Sequence, residues 1–221
     1  MNLDFSPVWD GLPFLAHGVL ITIAVTAIAL VLGCVIGLLV GMARLNPKRR
    51  VIYGLASVYV TFFRGTPLLV QLFLLFYGLP QLNIFLPAFL CGVMGLGMYS
   101  GAYVSEIVRG AIQSIDRGQV EAARSIGMSS AQAMRVIILP QALLRMVPPL
   151  GNEFIALIKN SALVSLLTIA DLMHEAQILI STSYRSLEVY LAVALVYLVL
   201  TSAMGQVLRL VEKRLRAGGL V

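Results

Sequence analysis

The chain has 221 residues, of which 59% are hydrophobic and only 12% charged, with a mean hydropathy of +0.93. A soluble domain is about half apolar and a quarter charged, so this composition excludes one and points to an integral membrane protein. The net charge of +6 then reads as basic loops on one side of a bilayer, and no nucleic-acid partner is expected.

The N-terminus, MNLDFSPVWDG, lacks a basic region ahead of an apolar run, so no cleavable signal peptide is expected. A spanning helix needs about 20 mostly apolar residues. Residues 18–42 meet that requirement, as do 84–107 and 188–211. Residues 51–79 are apolar but too long for one upright helix, about 44 Å at 1.5 Å per residue. A tilt or a break is expected there, and Gly65-Thr66-Pro67 offers the break. Residues 148–169 form a fifth span, less pure because they carry Glu153, Lys159 and Asn160. The expected fold is all-α, a single polytopic transmembrane domain over residues 1–221 with five transmembrane helices. Membrane lipid is its surroundings.

Charge sets the expected orientation. Arg44, Lys48, Arg49 and Arg50 lie in 43–50, five arginines from Arg109 to Arg145 lie in 108–147, and Arg209, Lys213, Arg214 and Arg216 lie in the tail. With five spans these segments share one side, and positive residues stay inside. The N-terminus is then outside and the C-terminus cytoplasmic. Gly33, Gly37 and Gly41 recur every four residues, as do Gly97 and Gly101, a spacing that lets helices approach closely. Cys34 and Cys91 lack CxxC spacing and read as packing residues, and His17 and His174 are too far apart for a metal or catalytic pair.

The cytoplasmic segment 108–147 is long, and it looks helical. Residues 116–126 suit a short helix that Gly127 stops in the left-handed conformation. Ser129 and Gln132 read as a capping box opening a second helix, which is expected to end near Pro140. Ala122 and Ala123 leave the first helix thin enough for another surface to close upon it, with Glu121 at its edge. The alternative is a solvated amphipathic connector.

Glu121-Ala122-Ala123, three residues, Gly127, nine residues, Ile137, then Leu139-Pro140 resembles the EAA loop of ABC importer permeases without a gap. Phe63-Arg64-Gly65-Thr66-Pro67-Leu68, the run from Gly101-Ala102-Tyr103 to Arg109-Gly110, and Pro148 to Phe154 resemble the polar amino-acid branch of that family. The resemblance covers roughly residues 10–215 and implies a type I importer membrane subunit of the bacterial cytoplasmic membrane. It implies a second permease subunit, as homodimer or heterodimer, around one translocation path. It implies two ABC ATPase subunits that receive the loop in a groove, with Glu121, Ala122, Ala123, Arg124, Gly127 and Pro140 as the coupling residues. An extracytoplasmic binding protein delivers the amino acid. The chain holds no G-x-x-x-x-G-K-[ST] loop, so no cofactor is expected on it and ATP with its magnesium belongs to the partner ATPase. With no nucleophile elbow, no H-E-x-x-H and no catalytic carboxylate pair, it is expected to be a transport subunit and not an enzyme.

Ionisable residues within a span point to a functional site. Glu153 and Asn160 are seven apart and share a helix face, with Asn152 and Lys159 on a second stripe. A zwitterion needs an acceptor for its ammonium, which Glu153 supplies, and donors for its carboxylate, which Lys159, Asn160 and Ser161 supply. The alternatives are that Glu153 meets a cationic side chain, or that Glu153 and Lys159 neutralise charge within the dimer interior. Arg64 reads either as a carboxylate contact or as a structural arginine on carbonyls freed by Pro67. Thr66 and Gln71 read as cavity donors or packing, and Glu106 with Arg109 as a local ion pair. The resemblance implies a cationic or polar amino acid: arginine, histidine or lysine, with glutamine or glutamate open because Asn160 stands where basic-amino-acid relatives resemble Lys-Asp. The competing class is a self-contained secondary carrier coupled to ions through Glu153 and Lys159, although no internal repeat is visible.

Overall fold

The computed structural model describes residues 3–217, and these are helical with no strand among them. A short helix α1 (Ser6–Asp10) leads into the long α2 (Leu12–Ala43), and prolines open both, where a missing N–H costs nothing. Next come α3 (Arg50–Gly65), α4 (Leu68–Phe73), α5 (Ala88–Gln113) and α6 (Arg117–Ser125). They are followed by α7 (Ser130–Ala133), α8 (Leu139–Asn160), α9 (Leu172–Ser183) and α10 (Ser186–Ala217). Four helical stretches are each long and apolar enough to cross a membrane, and the bent pair α3–α4 makes a fifth.

The glycine rows meet as expected. A Cβ on Gly33 would stand 3.1 Å from Ser100, one on Gly37 would press on Val104, and one on Gly41 would reach Ser105 O at 2.8 Å. Gly97 and Gly101 of α5 take Leu32 and Ile36 of α2 in return. Backbones at this spacing make α2–α5 the central seam of the subunit. Around it, Val25, Leu72, Leu96, Leu157 and Leu167 form the largest buried cluster. Val104, Val108 and Ile112 of α5 pack with Ile138, Ala142 and Met146 of the next span, which fixes α8 antiparallel to α5. Arg145 pins the lower end, its Nη1 donating to Ser114 O at 2.6 Å.

The break in the second span is sharper than a tilt. Thr66 and Pro67 are extended, and α3 and the helix from Leu68 to Leu82 diverge by 108°. Pro67 has no N–H and forces the preceding residue out of the helical region. Freed carbonyls in an apolar setting cost several kcal/mol each unless bonded. Gln71 satisfies them: its Nε2 donates to Phe63 O at 3.0 Å, Thr66 O at 3.1 Å and Thr66 Oγ1 at 2.8 Å. The structural reading of Arg64 as the residue on those carbonyls is therefore overturned, because a shorter buried amide already occupies them.

The helix that opens at Ser129 does not end near Pro140. Helical backbone runs from Ser130 to Leu167, with a π-turn over Met134–Ile138. Pro140 sits in the first turn of α8, where no bonded N–H is required, and the wider turn ahead of it accommodates the ring. The second helix expected in segment 108–147 and the span expected at 148–169 are one continuous rod.

Asp171 caps α9, its Oδ1 accepting His174 N–H at 2.9 Å. Its other oxygen is buried without a partner. Burial pushes the carboxyl up to about 6, against the opposing pull of the His174 and Met173 N–H groups. A raised carboxyl means that the stability it allows is complete below about pH 4 and lost as the pH rises through 6, by roughly 3 kcal/mol. Asp171→Asn keeps the cap and removes the charge. Its thermal midpoint in detergent should stay flat from pH 4.5 to 8 while the parent falls, and equal profiles would remove the carboxyl as the cause.

Candidate functional site: an exposed short helix and a polar stripe between α3, α5 and α8

Asp116 caps α6 through Gly118 N–H at 2.6 Å. At the other end, Met128 N–H reaches Ala123 O at 3.1 Å and Gly127 N–H reaches Arg124 O at 3.0 Å, with Gly127 at φ +85°. This is the paired cap that a left-handed residue permits. The Ser129–Gln132 capping box then forms in both directions. Backbone bonds thus fix the turn between the two helices.

Glu121, Ala122, Arg124 and Gly127 are exposed, and so is Pro140 farther along the rod. Ala123 is not: it is 1% exposed, so it lets α7 approach α6 instead of offering a surface to a partner. Ile126 is 78% exposed at the tip of the turn. Sequence reasoning missed it because an isoleucine next to a glycine reads as core.

The membrane-side candidates do not form one cluster. Asn152 and Lys159 are exposed on α8, and Lys159 makes no ion pair among the described residues. Asn160, one turn above Ala156, is half-buried. Ser161 is fully buried and donates to Ile158 O at 2.8 Å, so its hydroxyl is committed within the subunit and leaves the carboxylate-donor set. Thr66 donates to Phe62 O at 2.8 Å and accepts from Gln71, which makes it part of the break.

Glu153 is half-buried and comes up against Ser100, with Cys34 and Tyr99 in range. The Ser100 hydroxyl makes no well-formed hydrogen bond and is buried. Below it on α5, the Tyr99 and Tyr103 hydroxyls bond at 3.1 Å, and the Arg64 guanidinium stands 5.2 Å over the Tyr103 ring. Tyr99 lies within the field of both Glu153 and Arg64. One stripe of α5, Tyr99, Tyr103, Glu106, Arg109 and Gln113, therefore joins an anion on α8 to a cation on α3. Helical spacing puts Ser100 and Glu106 about 9 Å apart along the axis. Sequence reasoning singled out α8 and paired Glu106 with Arg109, but it did not join them to Tyr99, Tyr103 and Gln113, for which the i, i+4, i+7 spacing was the signal.

The expected Glu106–Arg109 pair forms, with Oε2 accepting Nη2 at 2.6 Å, but Glu106 also takes Arg44 from the end of α2 and has Arg64 at 4.0 Å. It is a hub of three arginines and not a local pair.

The family model for "Binding-protein-dependent transport system inner membrane component" matches residues 33–217. The chain is 37% identical over 218 residues to the glutamine transport system permease protein GlnP of Escherichia coli (strain K12), covering 98% of this chain and 99% of that one. It is 36% identical over 218 residues to the arginine transport system permease protein ArtQ of Bacillus subtilis (strain 168), with the same coverage. The solved structure of an amino acid ABC transporter with histidines contains a chain that superposes with a TM-score of 0.92 at 42% identity, over 97% of this chain and 100% of that one. With a family model spanning most of its length and relatives matched end to end, this multi-pass membrane protein belongs to the binding-protein-dependent transport system inner membrane components.

Proposed function

We propose that the chain is the permease subunit of an ATP-driven importer of a polar amino acid, moving substrate between Glu153 and Arg64 and driven through α6. The relatives that match end to end are amino-acid permeases, which supports the substrate class. The family also implies an ATPase and a binding protein as partners. ATP and magnesium then sit on that ATPase, with two ATPase chains and a second permease completing the assembly. The N-terminus lies outside, in keeping with the side on which the arginines gather. Residues 1–221 act as one transmembrane domain.

The observation that carries this reading is α6 itself: a nine-residue helix with Glu121, Ala122 and Arg124 exposed, closed by the Gly127 cap and docked on the rod that leads to Glu153. A rigid knob of this kind transmits a push, whereas a solvated connector needs no fixed angle. The family favours this reading over the self-contained carrier. Vesicles holding the chain with its ATPase and binding protein should take up an amino acid on ATP addition, and vesicles holding the chain alone should not. Uptake by the isolated chain under a proton or sodium gradient would overturn the proposal.

Glu153 serves as the acceptor for the substrate's positive end, since it faces Ser100 and pairs with no cation among the described residues. Glu153→Gln keeps the shape and removes the charge. It should cost about 10- to 100-fold in uptake efficiency for a cationic amino acid, the weight of one charged hydrogen bond, and less for a neutral one. Equal losses for both substrates, together with reduced protein yield, would assign Glu153 a structural role.

A further inference from the structure

Glu106 carries more positive charge than it can neutralise. Arg44 hydrogen-bonds one of its oxygens, and Arg109 holds the other through Nε at 3.1 Å and Nη2 at 2.6 Å while passing Nη1 to Gln113 at 2.9 Å. Those two guanidinium groups occupy the carboxylate. Arg64 is the third: its closest approach to Glu106 is 4.0 Å, and it makes no hydrogen bond among the described residues. It also stands over the Tyr103 ring, and its side chain is 45% exposed. Arg44 Nε is likewise buried without an acceptor.

Three arginines on one carboxylate leave a surplus of two positive charges where the ends of α2 and α5 meet α3. A guanidinium cannot shed its proton, so the surplus persists at every working pH. Its planar fork matches a carboxylate in bidentate fashion. The cation–π contact over Tyr103 keeps the fork extended without using its donors. Arg64 is also the penultimate residue of α3, two before Thr66 at the break, so a pull on it acts where the backbone is already interrupted.

We propose that Arg64 is the receptor for the substrate's α-carboxylate and that Glu106 competes with that carboxylate for it, so that the substrate is released towards the cytoplasmic end. This rests on the reading of the chain as an amino-acid permease. It narrows the substrate class: a free α-carboxylate is required, whatever the side chain. Glu153 of α8 faces Ser100, which lies about 9 Å along the α5 axis from Glu106, and takes the opposite end of the molecule.

The test uses the full complex with its ATPase and binding protein, in vesicles of phosphatidylcholine alone and of phosphatidylcholine with phosphatidylglycerol. The probe is the radiolabelled amino acid that the wild-type complex takes up best from a panel of the twenty. Arg64→Ala should raise the KM of uptake by about tenfold to a hundredfold, with Arg64→Lys in between, in both lipids. Glu106→Gln removes the competitor and should lower both KM and kcat, a split that a purely structural carboxylate does not produce. Complex yield and thermal midpoint of each variant separate misfolding from these effects, and Arg64→Lys retains the charge should Arg64→Ala fail to assemble. Wild-type KM in Arg64→Ala, or a raised KM in Glu106→Gln, overturns the proposal. An Arg64→Ala defect confined to vesicles with phosphatidylglycerol also overturns it, by showing that the arginine serves a lipid phosphate. If the wild-type complex takes up no amino acid at all, it is the amino-acid reading that fails.

Discussion

Gly41→Val should abolish the folded permease. A Cβ at position 41 would lie 2.8 Å from the backbone oxygen of Ser105 and 2.9 Å from Val108 Cβ. A carbonyl inside a helix cannot swing aside, so the whole of α2 must move off α5, and Gly37 and Gly33 lose their contacts with it. Overpacking a tight interface costs about 1–3 kcal/mol for modest insertions, and valine adds three carbons at a backbone-limited contact, so the loss should reach the top of that range or exceed it. That is a large fraction of the stability of any domain. Gly54→Ala is the matched control: nothing lies within 4 Å of a Cβ there, and alanine favours the helix by about 0.5–1 kcal/mol. Yield of monodisperse protein in detergent and its thermal midpoint read both. A Gly41→Val protein recovered at parental yield and midpoint would mean that the α2–α5 seam is looser than its geometry.

The second large effect is expected at Gly127, by a different route. A Cβ at Gly127 meets nothing within 4 Å, so space is not the constraint. The constraint is φ +85°, which costs a side-chain-bearing residue about 1–2 kcal/mol and which asparagine tolerates best. Gly127→Val should open the paired bonds from Gly127 and Met128, release the fixed angle between α6 and α7, and reduce ATP-driven uptake about 5- to 30-fold. ATP hydrolysis by the assembled complex should continue. Gly127→Asn should keep most of the coupling. Gly127→Trp adds a bulky group at the docking face and should uncouple at least as strongly as valine. The ratio of amino acid moved to ATP hydrolysed is the decisive measurement, and an unchanged ratio in Gly127→Trp would end the coupling role of this turn.

The parts of the fold that were legible in the sequence are those governed by local rules. Gly127 after a helical run, Ser129 with Gln132, and Thr66-Pro67 inside an apolar run each dictate backbone geometry within four or five residues, and each feature formed. The glycine rows were legible because a four-residue repeat of small side chains has few uses other than close helix contact. Pro140 misled for the same reason that proline is informative elsewhere: its rule concerns the interior of a regular helix, and the π-turn before it changes the register to which the rule applies.

The site was legible only where a charge stood alone in an apolar run. Glu153 and Lys159 stand out in composition, and so does Arg64. Nothing local says that Arg44, Arg64 and Arg109 converge on Glu106, since they come from three helices separated by up to 65 residues of sequence. Nor does it say that Ser161 turns inward to Ile158 while Lys159, two residues earlier, faces out. Helix rotation about its own axis is set by packing against neighbours, here the α5–α8 seam, and a mostly apolar helix carries little amphipathic pattern from which to read it.

By itself, then, the sequence determined the membrane as solvent, the helices as elements, and their caps and breaks, the Gly127 turn among them, because backbone hydrogen bonding and hydrocarbon thickness leave few alternatives. The tertiary structure alone decided which face of each helix is buried and which charges meet. Those depend on close packing between segments distant in the chain, at α2 against α5 and α5 against α8, and no local pattern encodes it.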